Sequence, residues 1–233
     1  MTKRIILPVL FSLLACVPAK AWRDYYDGEP LYASRWRDYK RHSYFGLRFG
    51  LNVPTVRYRG TGGMAQTESL PRFHVGLVCG NKLGQALPFF LETGLLYTEK
   101  GTKIRETEET GLRKTILRYL EIPIVLKYKI DTNADDFTVQ PFFGGFLAAG
   151  VGGKVKDYGP RAKYNPFGSN GYKRFDAGLK MGCGVEFQNF YFSMGYDLGL
   201  FNIAGKHYAD YHYDSFDGRI RTGNFTMTLG VDF

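Results

Sequence analysis

The residues best equipped for chemistry stand together near the C-terminus, in His207-Tyr208-Ala209-Asp210-Tyr211-His212-Tyr213-Asp214 followed by Phe216-Asp217-Gly218. Two imidazoles and three carboxylates can ligate zinc or another divalent ion, and the interleaved tyrosines can stack on sugar rings. The spacing matches no tight metal motif. A hydrated or self-packed loop without metal is therefore expected, with His207, Asp210, His212 and Asp214 as its candidate ligands. Nucleophilic catalysis lacks its constellation: Ser69 is the one serine near His74 in sequence, with only Glu68 to orient it, and Ser193 falls at the opposite end of its strand from His74. No catalytic residue, no cofactor and no enzymatic activity are expected.

A second set of charges recurs with a different logic. Arg48, Glu92, Glu121, Lys127, Asp176, Lys180, Glu186, Asp197 and Asp232 each occupy the polar phase of a stretch in which every second residue is apolar. The last stretch is the clearest, with Phe225, Met227, Leu229, Val231 and Phe233 in one phase and Asn224, Thr226, Thr228, Gly230 and Asp232 in the other. A period of two with one wholly apolar face suits a strand between lipid and a polar lumen.

Eight such strands are expected: 44–53, 72–80, 88–100, 115–130, 137–152, 174–187, 190–202 and 219–233. The gaps alternate between long loops (54–71, 101–113, 153–173, 203–218) and short turns (81–87, 131–136, 188–189). The fold class read from this is all-β, an eight-stranded antiparallel up-and-down transmembrane β-barrel. In bacterial outer membranes short turns face the periplasm, so both termini are expected there. Phe45, Phe89, Phe90, Tyr128, Phe187, Phe190, Tyr191 and Phe233 gather at the short-turn ends, where an aromatic girdle would sit. A soluble lipocalin-like barrel would invert this pattern, with apolar residues inside. Pro123, in the middle of the fourth strand, cannot donate to a ladder and is read as a bulge flanked by Glu121 and Val125.

Composition agrees. The 17 Tyr and 19 Phe exceed what a soluble domain needs, and 29 Gly suit crowded, curved strands. Lys3 and Arg4, the apolar run 5–16 and Ala19-Lys20-Ala21 read as a signal peptide over 1–21, with acylation of Cys16 as the competing reading. Removing the three bases Lys3, Arg4 and Lys20 from a formal +9 leaves +6, too modest to argue for nucleic acid. The arm 22–43 repeats Trp22-Arg23-Asp24-Tyr25 as Trp36-Arg37-Asp38-Tyr39 and is expected in the periplasm. Cys79 and Cys183 fall on strands that are not neighbours, so no disulfide should join them.

An eight-stranded lumen is only wide enough for side chains, so the nine charges are read as an internal ion-pair network, with a narrow ion path as the alternative. In the third loop, Lys154, Lys156, Arg161 and Lys163 lie at the level of lipopolysaccharide phosphates and are candidate head-group contacts.

The runs Leu91-Glu92-Thr93-Gly94-Leu95-Leu96-Tyr97-Thr98-Glu99-Lys100-Gly101, Arg118-Tyr119-Leu120-Glu121-Ile122-Pro123-Ile124-Val125-Leu126-Lys127-Tyr128 and Asp176-Ala177-Gly178-Leu179-Lys180-Met181-Gly182-Cys183-Gly184-Val185-Glu186-Phe187, with Gly199-Leu200-Phe201-Asn202-Ile203, resemble the PorT-like outer-membrane β-barrel family of Bacteroidetes. The resemblance spans residues 44–233 and implies an outer-membrane address and a link to protein secretion. The expected role is a non-catalytic membrane anchor or interaction module. Its expected partners are outer-membrane lipid and lipopolysaccharide, the outer-membrane assembly machinery, and secretion or envelope proteins. A surface receptor or adhesin binding glycan or metal through its loops is the alternative.

A terminal aromatic in an apolar phase resembles the signal read by the outer-membrane assembly machinery. Losing Phe233 should cost about 1.5–3 kcal/mol of burial at most, which a closed barrel tolerates. Deletion of Phe233 should therefore lower the amount of folded barrel in outer-membrane fractions more than it impairs refolding in detergent. Parental levels in the membrane would refute the signal.

Overall fold

The computed structural model describes residues 43–59, 67–84, 88–105, 112–132, 137–156, 165–167, 171–205 and 219–233. The segment 1–21 read as a signal peptide, with Cys16, and the expected arm up to residue 42 lie outside them. Among the described residues there are ten strands: β1 (Ser43–Arg59), β2 (Thr67–Leu70), β3 (Arg72–Lys82), β4 (Phe89–Arg105), β5 (Leu112–Tyr128), β6 (Ile130–Asp131), β7 (Phe137–Lys156), β8 (Phe175–Phe187), β9 (Phe190–Gly199) and β10 (Arg219–Asp232). Eight of them close a ring in the order β1, β3, β4, β5, β7, β8, β9, β10, every neighbour antiparallel. β10 returns to β1 from Gly46↔Asp232 to Arg59↔Arg219, so the sheet has no open edge. The short strands β2 and β6 extend the β4 and β7 ladders at opposite ends.

Alternation decides which face is which. Phe45, Leu47, Phe49 and Leu51 of β1 are 47–53% exposed, whereas Arg48 is 3% and Asn52 0% exposed. Apolar residues thus point out and charges point in, the reverse of a soluble barrel.

Several boundaries differ from the sequence reading. β1, β4 and β7 run past the expected ends by four to six residues, and β2 forms within the expected first long loop. Outside the bilayer a strand still gains by pairing with its neighbour, and hydropathy does not record that gain. Phe90 and Tyr191 are not girdle residues: they are 3% and 4% exposed and face the lumen, because they share the phase of Glu92 and Ser193. Cys183 is a free thiol, so no bond joins it to Cys79.

Pro123 makes no bulge. It pairs in register with Phe146 of β7, and on the other side the β4 ladder passes from Thr93↔Ile124 to Leu96↔Glu121 without an inserted residue. The missing N–H costs a rung, not a register. The slip lies instead between Arg118↔Gly152 and Tyr119↔Gly150, where Val151 of β7 has no partner. A one-residue insertion inverts the alternation beyond it. Up to Gly150 the even residues of β7 face in; after the slip Val155 is buried, and Lys154 and Lys156 are exposed.

Tight curvature also brings strands close at glycines. A Cβ on Gly144 would meet backbone of β5, with the Val125 Cα at 2.7 Å and the Ile124 carbonyl oxygen nearer still, whereas a Cβ on Gly152 would find nothing within 4 Å. Gly144→Ala should therefore cost about 1–3 kcal/mol by urea titration in detergent, and Gly152→Ala no more than about 0.5 kcal/mol. Equal losses would contradict the close approach.

Candidate functional site

The lumen is stacked in layers, each supplied by the inward phase of several strands. At the short-turn mouth, Lys129 Nζ lies 2.8 Å from Glu186 Oε2, which also accepts from Gln140 Nε2. The Lys129 ammonium covers the rings of Tyr44 and Phe90 at 4.9 and 5.1 Å.

The next layer centres on Glu92. Its Oε2 accepts from the Tyr44 hydroxyl at 2.6 Å, from Lys127 Nζ at 2.7 Å and from Arg48 Nη2 at 3.2 Å. Arg48 Nη1 bonds Asp232, one residue from the C-terminal Phe233. The Tyr191 ring lies between the two cations, 4.2 Å from the Arg48 guanidinium and 4.1 Å from Lys127 Nζ. Cation–π contact adds to the ion pairs where water is excluded.

Above this lies a cavity of about 60 Å³, bordered by Arg48, Glu92, His74, Glu121, Lys180 and Asp197 among others. Lys180 Nζ bridges Glu121 Oε1 at 3.0 Å and Asp197 Oδ1 at 2.7 Å. A chain of amides continues from there: Asn224 Nδ2 donates to Asp197 Oδ2 at 3.2 Å and to Asn52 Oδ1 at 3.3 Å. Asn52 Nδ2 is spent on the carbonyls of Phe73 and Glu99, so Asn52 Oδ1 accepts from His74 Nδ1 at 2.8 Å. In the neutral ring, His74 Nε2 then accepts from the Thr228 hydroxyl at 3.0 Å. The imidazole is locked as a structural linker.

The fourth layer pairs Lys100 Nζ with Asp176 Oδ2 at 3.2 Å, and Thr222 Oγ1 donates to the same oxygen at 2.8 Å. Over it sits an apolar plug of Val56, Leu117, Tyr119, Phe146, Ala148, Phe167, Tyr172, Ile203, Ala204 and Ile220. Two loop segments fold inward to build it: bridges join Phe167 to Tyr172 and Tyr172 to Ala204, and Tyr119 meets Phe167 edge-on at 5.7 Å.

All nine lumen charges read from the sequence line this interior, but their partners differ from expectation. Glu121 holds Lys180, not Lys127 or Arg48. The sequence reading also passed over Lys100 and Lys129, so that among the described residues five ion-paired lumen cations rather than three stand against the same six acids. Both continue legible period-two rows, Lys100 four steps beyond Glu92 and Lys129 one step beyond Lys127. Lys154 and Lys156 stand on the outside of β7; Arg161, Lys163, His207, Asp210, His212 and Asp214 lie outside the described residues. Among the described residues no His, Cys, Asp or Glu cluster forms a metal site.

Removing one partner of a buried ion pair leaves a charge without compensation, at about 3–5 kcal/mol. Glu92→Leu strands Lys127, takes one of the two acids from Arg48, which keeps Asp232, and leaves the Tyr44 hydroxyl without its acceptor, so it should reach that range in urea titration, whereas Glu121→Leu leaves Lys180 with Asp197 and should cost clearly less. A larger loss at Glu121 would displace Glu92 as the centre of the network.

No curated relative matches the chain. Among solved structures it is similar to the outer membrane protein OprG from Pseudomonas aeruginosa (12% identity, 82% of this chain and 96% of that chain, TM-score 0.44). It is similar also to Neisserial surface protein A, NspA (15% identity, 82% and 97%, TM-score 0.41), and to Ail, the attachment invasion locus protein of Yersinia pestis (14% identity, 82% and 99%, TM-score 0.40). The family model described as "Outer membrane protein beta-barrel domain" matches residues 33–205, from before β1 to just past β9. Seven of the eight ring strands fall within that match, and the chain belongs to the outer membrane protein β-barrel domain family.

Proposed function

We propose that this outer-membrane barrel is a non-catalytic anchor or interaction module of the PorT-like group, accessory to protein secretion, with both termini in the periplasm. The observation that carries this reading is the filled lumen. Four ionic layers and an apolar plug occupy it, and the cavity between the layers, at about 60 Å³, has room for only a few water molecules. The working surfaces are then the exterior, the loops and the arm. Envelope proteins, lipid and the assembly machinery are the partners such surfaces meet, and nothing in the charge pattern calls for nucleic acid.

A receptor or adhesin acting through its loops is the second reading. It is favoured by the way two loop segments fold against each other, since Lys173 N donates to the Ile203 carbonyl oxygen at 2.7 Å and Gly205 N to the Gly171 carbonyl oxygen at 2.7 Å. The described parts of these loops are thus tied to each other through backbone hydrogen bonds. A narrow ion channel is disfavoured by the same plug.

In planar bilayers the purified protein should give no steady conductance; reproducible unitary currents would replace the anchor reading with the channel. Cysteines introduced at Gly63, Gly111, Ser169 or Ser215 should label from outside intact cells, and those at Gln85 or Asn133 should not. Labelling at Gln85 would reverse the orientation.

A further inference from the structure

The outward face of β4, β5 and β7 carries a row of like charges at its long-loop end. Lys103 of β4 stands directly opposite Lys114 of β5, and Lys114 stands directly opposite Lys156 of β7. Lys154 lies two residues below Lys156, opposite Ile116. Directly opposed residues of an antiparallel pair share a face and approach closely, and like charges there destabilise the sheet. The row spans two strand spacings, about 10 Å.

Three features make this more than solvated surface. The register slip at Val151 is what turns Lys154 and Lys156 outward; without it their even phase would aim them into the lumen beside the plug. Below the row the same face is apolar, with Val151 45%, Leu147 40% and Phe143 57% exposed. Between them sits an ionic clasp in which Glu99 Oε1 takes Arg118 Nε at 2.9 Å and the Tyr97 hydroxyl at 3.1 Å. Lys103 also has Glu68 at 3.9 Å, and Lys154 and Lys156 are exposed.

We infer that Lys103, Lys114, Lys154 and Lys156 form a binding site for the phosphate groups of an outer-leaflet glycolipid, lipid A, whose acyl chains lie along Val151, Leu147 and Phe143. Ammonium groups just above an apolar wall match a ligand with phosphates just above its acyl chains. This rests on the orientation proposed above, which places the long-loop ends in the outer leaflet.

The test uses the full-length barrel folded in detergent free of lipopolysaccharide, where binding does not depend on orientation in the cell. Fluorescent lipid A, the same lipid A after enzymatic dephosphorylation, inorganic phosphate and a sulfated disaccharide are titrated in parallel. The parent should bind lipid A at least about tenfold more tightly than the dephosphorylated form. The K114Q/K154Q/K156Q variant, with unchanged heat-modifiable mobility, should lose that preference. Lipid A should raise the thermal midpoint of the parent but not of the variant. If the triple variant does not fold, K154Q/K156Q, altered only at exposed positions, carries the same comparison.

Equal binding of the two lipid forms, or an unchanged preference in the variant, overturns the site. Competition by the sulfated disaccharide or by inorganic phosphate at the affinity of lipid A overturns the assignment to a lipid. The cysteine labelling above reports orientation independently, so a site that binds in detergent on a barrel labelled from the wrong side refutes the orientation and leaves the chemistry of the site in place.

Discussion

The ring closed by β10 against β1 is the constraint from which the other features descend. In hydrocarbon an unpaired backbone N–H or C=O costs several kcal/mol, so a spanning sheet must have no edge. Eight strands achieve that at a circumference whose interior admits only side chains. Outward positions within the hydrocarbon then face acyl chains and are mainly apolar, and every inward position must find its partners among a few neighbours within the same narrow lumen. The exposed row from Phe45 to Leu51 and the buried Arg48 and Asn52 in the opposite phase are two consequences of one closure.

Inside, charge is tolerated only where it is paired. Desolvation makes a buried ion pair a poor source of net stability, yet removing one member is expensive. Glu92 meets this by gathering one hydroxyl and two cations on a single oxygen, while Tyr191 offers its ring to both cations. Because Arg48 also reaches Asp232, the network joins the first strand to the end of the last and ties the closing seam from within. Such a set of partners is satisfied in one register and left broken by a slip of one residue, so it favours a unique closure as much as a stable one.

The two ends of the barrel are finished differently. The short-turn mouth is closed by Lys129, Glu186 and Gln140 against aromatic rings, the other by an apolar plug that loop segments supply. Among the described residues the interior is committed to its own structure. On the outer wall the slip at Val151 turns Lys154 and Lys156 away from the lumen.

Much of this was legible in the chain. Period-two alternation is imposed by lipid on one side and lumen on the other, so it revealed the eight strands, their inward charges from Arg48 to Asp232 and the alternation of long and short connections. The same rule, extended one step, would have found Lys100 and Lys129. It could not assign partners: Glu121 reaches Lys180 and not Lys127 because of strand register and barrel stagger, which arise from pairing between distant segments. Nor could it locate the irregularity. Pro123 advertised a bulge and made none, because losing an N–H removes a rung without adding a residue, while Val151 gave no local sign of the slip that re-aims Lys154 and Lys156. Composition and alternation determined the class of fold and which residues face inward; the pairing of each charge, the plug and the lysine row were decided by tertiary register, because a ladder is set by the fit of whole strands to one another and not by any residue alone.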